Sequence, residues 1–419
     1  LVSMAAAAQE PETAPPPEKA RIDEVMVVTA SRTEQLVHDV PAAVTVITSQ
    51  ELEHAAVDDY GDILRTVPGV NVTQISARDI QVTARAATNS LATSQLVMLD
   101  GRTLYLDFFG FVMWDFLPVD VNEIKQIEVV RGPGSAVWGA NAMAGVINLI
   151  TKRPSEMQGT TVTVGAGDRG TLLGSVMHAG ASGPAAYKFS TSYYRQDAYD
   201  RPTGLIPGTS TPYPAFENEG TEQPKADLRL DYDLSDTSFL SVAGGYAGTD
   251  GLVHSGIGPF DIESGASMKY VKGDWTRGSL RAGAFANFLD ADSTNLLAIG
   301  VDGRPITFAF KTSTYNVDVS NTSVAGRRHI LTYGATARHN EFDLSIAPLG
   351  RQRDEYGAFL QDEMALTPAV SLTVGSKFER DSSAGWGVLP SLRGIWRIAP
   401  AGQRVWGAVS RARRTPAAG

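Results

Sequence analysis

The sequence predicts a compact α+β domain followed by an antiparallel β-barrel of the membrane-spanning kind. Two textures, meeting near residue 155, carry that prediction. Before it, short strand-like runs alternate with capped helical turns. After it, segments of roughly ten residues alternate apolar and polar between turn-rich connections. A third observation is negative. No run approaches the roughly 20 consecutive apolar residues that a helical span needs, whereas barrel strands need no such run.

Residues 1–20 read as a leader. Leu1–Ala8 (LVSMAAAA) resembles the end of a secretory signal peptide, and residues 9–19 carry Pro11 and Pro15-Pro16-Pro17 among acids. Such a segment buries no core and is expected to be extended. In residues 36–155, Val44–Ile47 is a strand, and Thr48 to Glu51 has capping-box spacing. Asp58 or Asp59 caps a second helix carrying Ile63, Leu64 and Val67, stopped by Pro68-Gly69. Strands are expected at Val70–Val72, Leu96–Leu99, Ile127–Val130 and Val146–Ile150, with the turn dipeptide Asp100-Gly101 after the second.

In residues 156–419 the clearest alternation runs from Ala226 to Leu234. Leu228, Leu230 and Tyr232 share one face, and Asp227, Arg229 and Asp231 the other. Val370, Leu372 and Val374 against Ser371 and Thr373 repeat the pattern, as do Leu331, Tyr333 and Ala335 against Thr332 and Thr336. About 12 or 13 such segments follow from the two-residue period. A soluble sandwich shows the same alternation. Apolar faces nearly free of charge, and short turns such as 168–170 set against long loops such as 197–223, favour lipid.

Composition excludes several classes. The chain has 419 residues, is 43% hydrophobic and 20% charged, and carries a net charge of −10 without cysteine. A nucleic-acid binder would show a basic excess, and thiol or zinc–cysteine chemistry needs cysteine. The six histidines form no metal-ligand spacing. Gly165–Gly170 matches GxGxxG, but a strand-like run rather than a helix follows, so it reads as a hairpin turn. No catalytic constellation is present, and no cofactor or metal is expected.

The positive motifs lie in the first 155 residues. Glu24-Val25-Met26-Val27-Val28-Thr29-Ala30, within a segment spanning 21–35, is β-prone and follows an extended leader. A segment of this kind adds as a strand to a partner's sheet edge, or is the first strand of the domain itself. Together with Ser31-Arg32 it resembles the TonB box of TonB-dependent outer-membrane receptors. VPAAVTVITSQEL (40–52), DILRTVPGVNV (62–72) and VMLDGR (97–102) resemble successive elements of that family's plug domain, and the longest resemblance runs over 121–152 (VNEIKQIEVVRGPGSAVWGANAMAGVINLITK). Within it Gly132-Pro133-Gly134 suits a sharp turn, Glu128, Arg131 and Asn148 suit structural support, Trp138 a packed anchor, and Gly139 and Gly145 close backbone approach. YGAFLQDEMALTPAVSLT (356–373) and VWGAVSRARRTP (405–416) resemble barrel strands.

The resemblance implies a plug inside a barrel of about 22 strands, so the chain is expected to be a fragment holding the first 12 or 13. It implies a ligand-gated importer in the outer membrane of a Gram-negative bacterium. Ligand outside makes residues 24–30 available to TonB, which is energised through ExbB and ExbD. A ferric siderophore is the commonest ligand class; cobalamin, haem and carbohydrate are alternatives, and a passive porin or adhesin barrel is the rival of another class. The stretch 99–118 is unusually aromatic. Tyr105, Phe108, Phe109 and Trp114, with Arg85, are the candidate ligand contacts, against the plainer reading that the rings pack internally.

Overall fold

Runs rich in valine and isoleucine build the first domain's central sheet. The structure, a computed structural model, describes residues 25–29, 32, 34–55, 59–84, 95–255, 258–398 and 403–415. Glu24, Ala30, Asp58 and Arg85 lie outside the described residues. The sheet has five strands in the order Ala43–Thr48, Ile124–Arg131, Gly145–Thr151, Gln95–Leu99 and Arg102–Thr103. Only the pairing of Gly145–Thr151 with Gln95–Leu99 is parallel. Asp100 and Gly101 both take positive φ, the conformation that a two-residue hairpin turn requires.

Ile127, Val129, Val146, Ile147 and Leu149 are fully buried in this sheet, each contributing about 1.5–3 kcal/mol of transfer free energy. The Ser49–His54 helix starts on a complete capping box: the Thr48 N–H donates to Glu51 at 2.8 Å, and the Thr48 hydroxyl accepts from the Glu51 N–H. Asp59 caps the Tyr60–Arg65 helix. Gly139 has a φ of 89°, and a Cβ there would collide with Glu379 and Lys377 of the neighbouring sheet, so glycine sets how closely the two parts approach.

From Gly159 to Ser410, thirteen strands pair with their sequence neighbours in one antiparallel sheet. Gly159–Ala166 and Gln403–Ser410 are its outermost members and pair on one side only among the described residues. Burial along the strands is inverted relative to a soluble sheet. Leu228, Leu230, Tyr232 and Leu234 are exposed, while Asp227 and Asp231 are buried against the first domain. Phe378 is exposed and Lys377 buried in the same sense. An outward apolar face over an inward polar one suits hydrocarbon around and a hydrated lumen within, and argues against a sandwich.

Connections at one rim of the sheet, such as 183–184, 236–237 and 278–279, hold two to four residues where described. The other rim carries the long loop 197–220 and the outer parts of strands of up to 21 residues, about twice what a crossing needs. This asymmetry is the pattern of a membrane-spanning barrel with its long loops at the outer rim. The turn 168–170 corrects its sequence reading, because the Asp197 N–H donates to the Arg169 carbonyl at 2.8 Å. That turn therefore shares the outer rim with the long loop: strand parity, not the length of one connection, decides the side. Residues 165–170 otherwise form the expected hairpin connection.

Candidate functional site

The β-prone segment at residues 25–29 is held inside the molecule by the first domain's own sheet. Met26–Val27 pairs antiparallel with Gln35–Leu36, and Val27 and Thr29 are each about 1% exposed. The Val28 N–H donates to both Glu128 carboxylate oxygens at 3.0 and 3.1 Å, and the Thr29 N–H to one of them at 2.7 Å. Gln126, two residues from Glu128 and so on the same strand face, donates to the Glu128 carboxylate at 2.7 Å and to the Met26 carbonyl at 3.0 Å.

Asn148 stands opposite Glu128 in the ladder and donates to the Thr29 hydroxyl at 3.1 Å. The Trp138 indole N–H donates to the Thr29 carbonyl at 2.6 Å. Trp138 ends the short Ser135–Trp138 helix that follows the Gly132-Pro133-Gly134 turn, where Gly132 has a φ of 118°. Arg32 lies over the Trp138 ring at 4.4 Å and over Phe359 of the barrel wall at 4.9 Å, with Asp318 of the wall 3.8 Å away. Burial lowers the pKa of its guanidinium and Asp318 opposes that shift.

The residues 25–29 and 32 are thus latched by Glu128 and Asn148, two of the positions expected to give structural support, and by Trp138, the expected packed anchor. Arg131 does support the domain, donating to the Thr45 hydroxyl at 3.0 Å and to the Pro68 carbonyl. Nothing in the sequence paired Glu128 with a backbone 100 residues earlier; an acid flanked by apolar strand residues was the available signal.

At the outer rim the aromatic stretch divides. Trp114 is buried and stacks on Tyr60, and Tyr105 belongs to the same core, where burial pushes its phenol up to about 12. Phe108 and Phe109 leave that core and pack against Phe310 of the wall, at centroid distances of 5.7 and 5.3 Å. With Phe111, Phe116 and Phe260 they line an apolar cavity of about 250 Å³. Asp107 fixes this loop to the wall, accepting from Arg353 at 2.7 Å with Arg338 3.5 Å away. Lys188 makes a second anchor, bridging Glu123 of the first domain and Asp227 of the wall, all three side chains nearly inaccessible. No cluster of three or more metal-ligating side chains occurs among the described residues.

Comparison with known proteins agrees with both parts. Residues 37–146 match the TonB-dependent receptor plug domain, and residues 163–419 match the TonB-dependent receptor-like β-barrel. The vitamin B12 transporter BtuB of Vibrio vulnificus is 33% identical over 150 residues, covering 36% of this chain and 24% of that protein. The iron-regulated outer membrane virulence protein of Vibrio cholerae is 24% identical over 416 residues, covering 94% of this chain and 60% of that protein. The chain therefore spans less than two thirds of the length of these relatives. A crystal structure of a ferric enterobactin receptor variant from Pseudomonas aeruginosa shares the fold at a TM-score of 0.67 and 17% identity, over 90% of this chain and 62% of that one. The ferripyoverdine receptor of Pseudomonas aeruginosa does so at 0.68 and 14%, over 89% and 57%. The two matches, one over the plug sheet and one over the antiparallel sheet with its apolar exterior, identify the chain as a member of the TonB-dependent receptor family.

Proposed function

We propose that this chain carries the plug, the box and the adjoining barrel wall of an energised uptake receptor in the outer membrane of a Gram-negative bacterium. The observation that carries this reading is the grip of Glu128 on the Val28 and Thr29 amides. A carboxylate holding backbone donors occupies the hydrogen-bonding groups that an incoming strand needs, so the latch and a partner strand exclude one another. Release of the segment exposes residues 24–30 to TonB, which works with ExbB and ExbD. The box lies toward the short-turn rim, since Gln35 and Asp39 of its partner stretch bond Glu363 and Arg397 at that end of the wall.

The ligand is a ferric siderophore in this reading. Similarity extending over 94% of the chain, wall included, to an iron-regulated outer membrane protein favours that class. The similarity to the B12 transporter is confined to about a third of the chain and keeps cobalamin as the second reading. Phe108 and Phe109, on the outer cavity, are the proposed ligand contacts. Tyr105 and Trp114 sit in the plug core instead.

Growth under iron limitation tests the function. Cells expressing the receptor from its natural reading frame are expected to gain siderophore-dependent growth that disappears when TonB is deleted. Uptake that persists without TonB would overturn the reading in favour of a passive pore.

A further inference from the structure

The cavity of about 250 Å³ at the outer rim has a single chemical character. Phe108, Phe111 and Phe116 of the plug loop and Leu289 and Phe310 of the wall line it, each less than 5% exposed, and no charged residue does among the described residues. Its wall side comes mainly from four strands in the interior of the sheet, Ser238–Ser255, Gly258–Arg277, Leu280–Ile299 and Pro305–Ala325, each paired on both sides. Asp107, bonded to Arg353, pins the loop that forms the plug side, so the space is built before anything enters it. Phe109, Met113 and Ile346 are only partly buried and mark its mouth.

Size sets what fits. An apolar cavity of roughly 150 Å³ holds a benzene ring, and pockets that enclose a whole drug-sized ligand run to roughly 300–1,000 Å³. A space of about 250 Å³ therefore takes one group of a larger molecule, the size of a fused bicyclic ring. Two hydroxyls reach it. That of Ser255 donates to the Gly258 carbonyl at 2.9 Å. That of Ser293, a residue 1% exposed, meets no partner among the described residues. A buried hydroxyl left unpaired is costly, and water is a poor partner here, because an internal water needs two to four polar contacts. An ionised group would lose its hydration and gain only this hydroxyl in return.

We propose that this cavity is a binding site for an uncharged aryl or short alkyl group bearing one hydrogen-bonding atom, which the Ser293 hydroxyl meets. The proposal rests on the uptake reading above and deepens it. The part of the cargo that reaches Phe108 and Phe109 is hydrocarbon, and any ionised part stays above the mouth. Selection at this point is by the cargo's apolar appendage rather than by its charge.

Equilibrium dialysis of the full-length receptor in lipid nanodiscs tests the site with three probes: 2-naphthol, naphthalene and 2-naphthoate. Ala291 lines the cavity, so Ala291→Phe fills it, and the difference between parent and variant removes partitioning into lipid. The parent is expected to hold one saturable 2-naphthol that Ala291→Phe loses. Naphthalene should bind about three- to tenfold more weakly, the share of one neutral hydrogen bond, and the carboxylate of 2-naphthoate should cost about tenfold or more. Ser293→Ala, a milder change, should keep naphthalene binding and erase the preference for 2-naphthol. No saturable site in the parent, equal binding in Ala291→Phe, or 2-naphthoate binding as tightly as 2-naphthol would overturn the proposal. A 2-naphthol preference that survives in Ser293→Ala would overturn the role of that hydroxyl. None of these readouts involves TonB or transport. Uptake that persists without TonB would sink the receptor reading while the dialysis result stood.

Discussion

Glu128 and Asn148 face one another across two antiparallel strands, and both direct their side chains to Thr29. One accepts its amide hydrogen at 2.7 Å; the other donates to its hydroxyl at 3.1 Å. This pair makes residues 25–29 a bound segment rather than a free tail. Hydrogen bonds to a charged group are worth about 1.5–3 kcal/mol each. Glu128→Ala is therefore expected to release residues 25–29 in the absence of ligand. The chain has no native cysteine, so a single nitroxide on Met26→Cys reports cleanly. A line shape as immobile in Glu128→Ala as in the parent would refute the latch.

Val27 pairs with Gln35 and is about 1% exposed. Proline there removes a ladder donor and fixes φ. Val27→Pro is expected to abolish energised uptake and leave external ligand binding intact. Normal uptake in that variant would count decisively against residues 24–30 as the TonB contact.

The Lys188 bridge predicts a pH-dependent stability. Lys188→Met strands two buried carboxylates, and losing one partner of a buried pair costs about 3–5 kcal/mol. Burial already holds the Glu123 carboxyl above its usual value, with Lys188 opposing that shift, so removing the lysine raises it further. A carboxyl raised in the folded state stabilises at pH below its unfolded value and loses that contribution as pH rises through the folded one. The variant should therefore lose most thermal stability near neutral pH and approach the parent below pH about 4.5. A deficit independent of pH would show that Glu123 does not respond.

The aromatic residues predict two different phenotypes. Trp114→Ala opens a hole in the plug core and should cost about 3–5 kcal/mol of stability. Phe109 is only partly buried, at the edge of the outer cavity. Phe109→Ala should leave stability nearly unchanged and weaken ligand binding several-fold, corresponding to about 0.5–1.5 kcal/mol of ring contact. Unchanged affinity in direct titration would remove Phe109 from the ligand site.

Much of the fold was legible because it is periodic or locally punctuated. Thr48 and Glu51 announce a helix start from three residues apart, Asp100-Gly101 announces a hairpin, and the two-residue alternation at Leu228 to Tyr232 announces a strand with unlike faces. Alternation also anticipated 12 or 13 strands, and 13 are present among the described residues. Which face points outward was a matter of composition until burial showed the leucines exposed and the aspartates covered.

The sequence by itself determined the two-part architecture and the family, because each rests on patterns read within a few dozen residues. Only the tertiary structure decided what holds residues 25–29, which rim owns the turn 168–170, and which rings face the outer cavity. Those answers depend on residues such as Val28 and Glu128, or Arg32 and Asp318, brought together across 100 or more positions. Loop closure joins such positions at a cost that grows only slowly with separation, so spacing in the chain carries no mark of the contact.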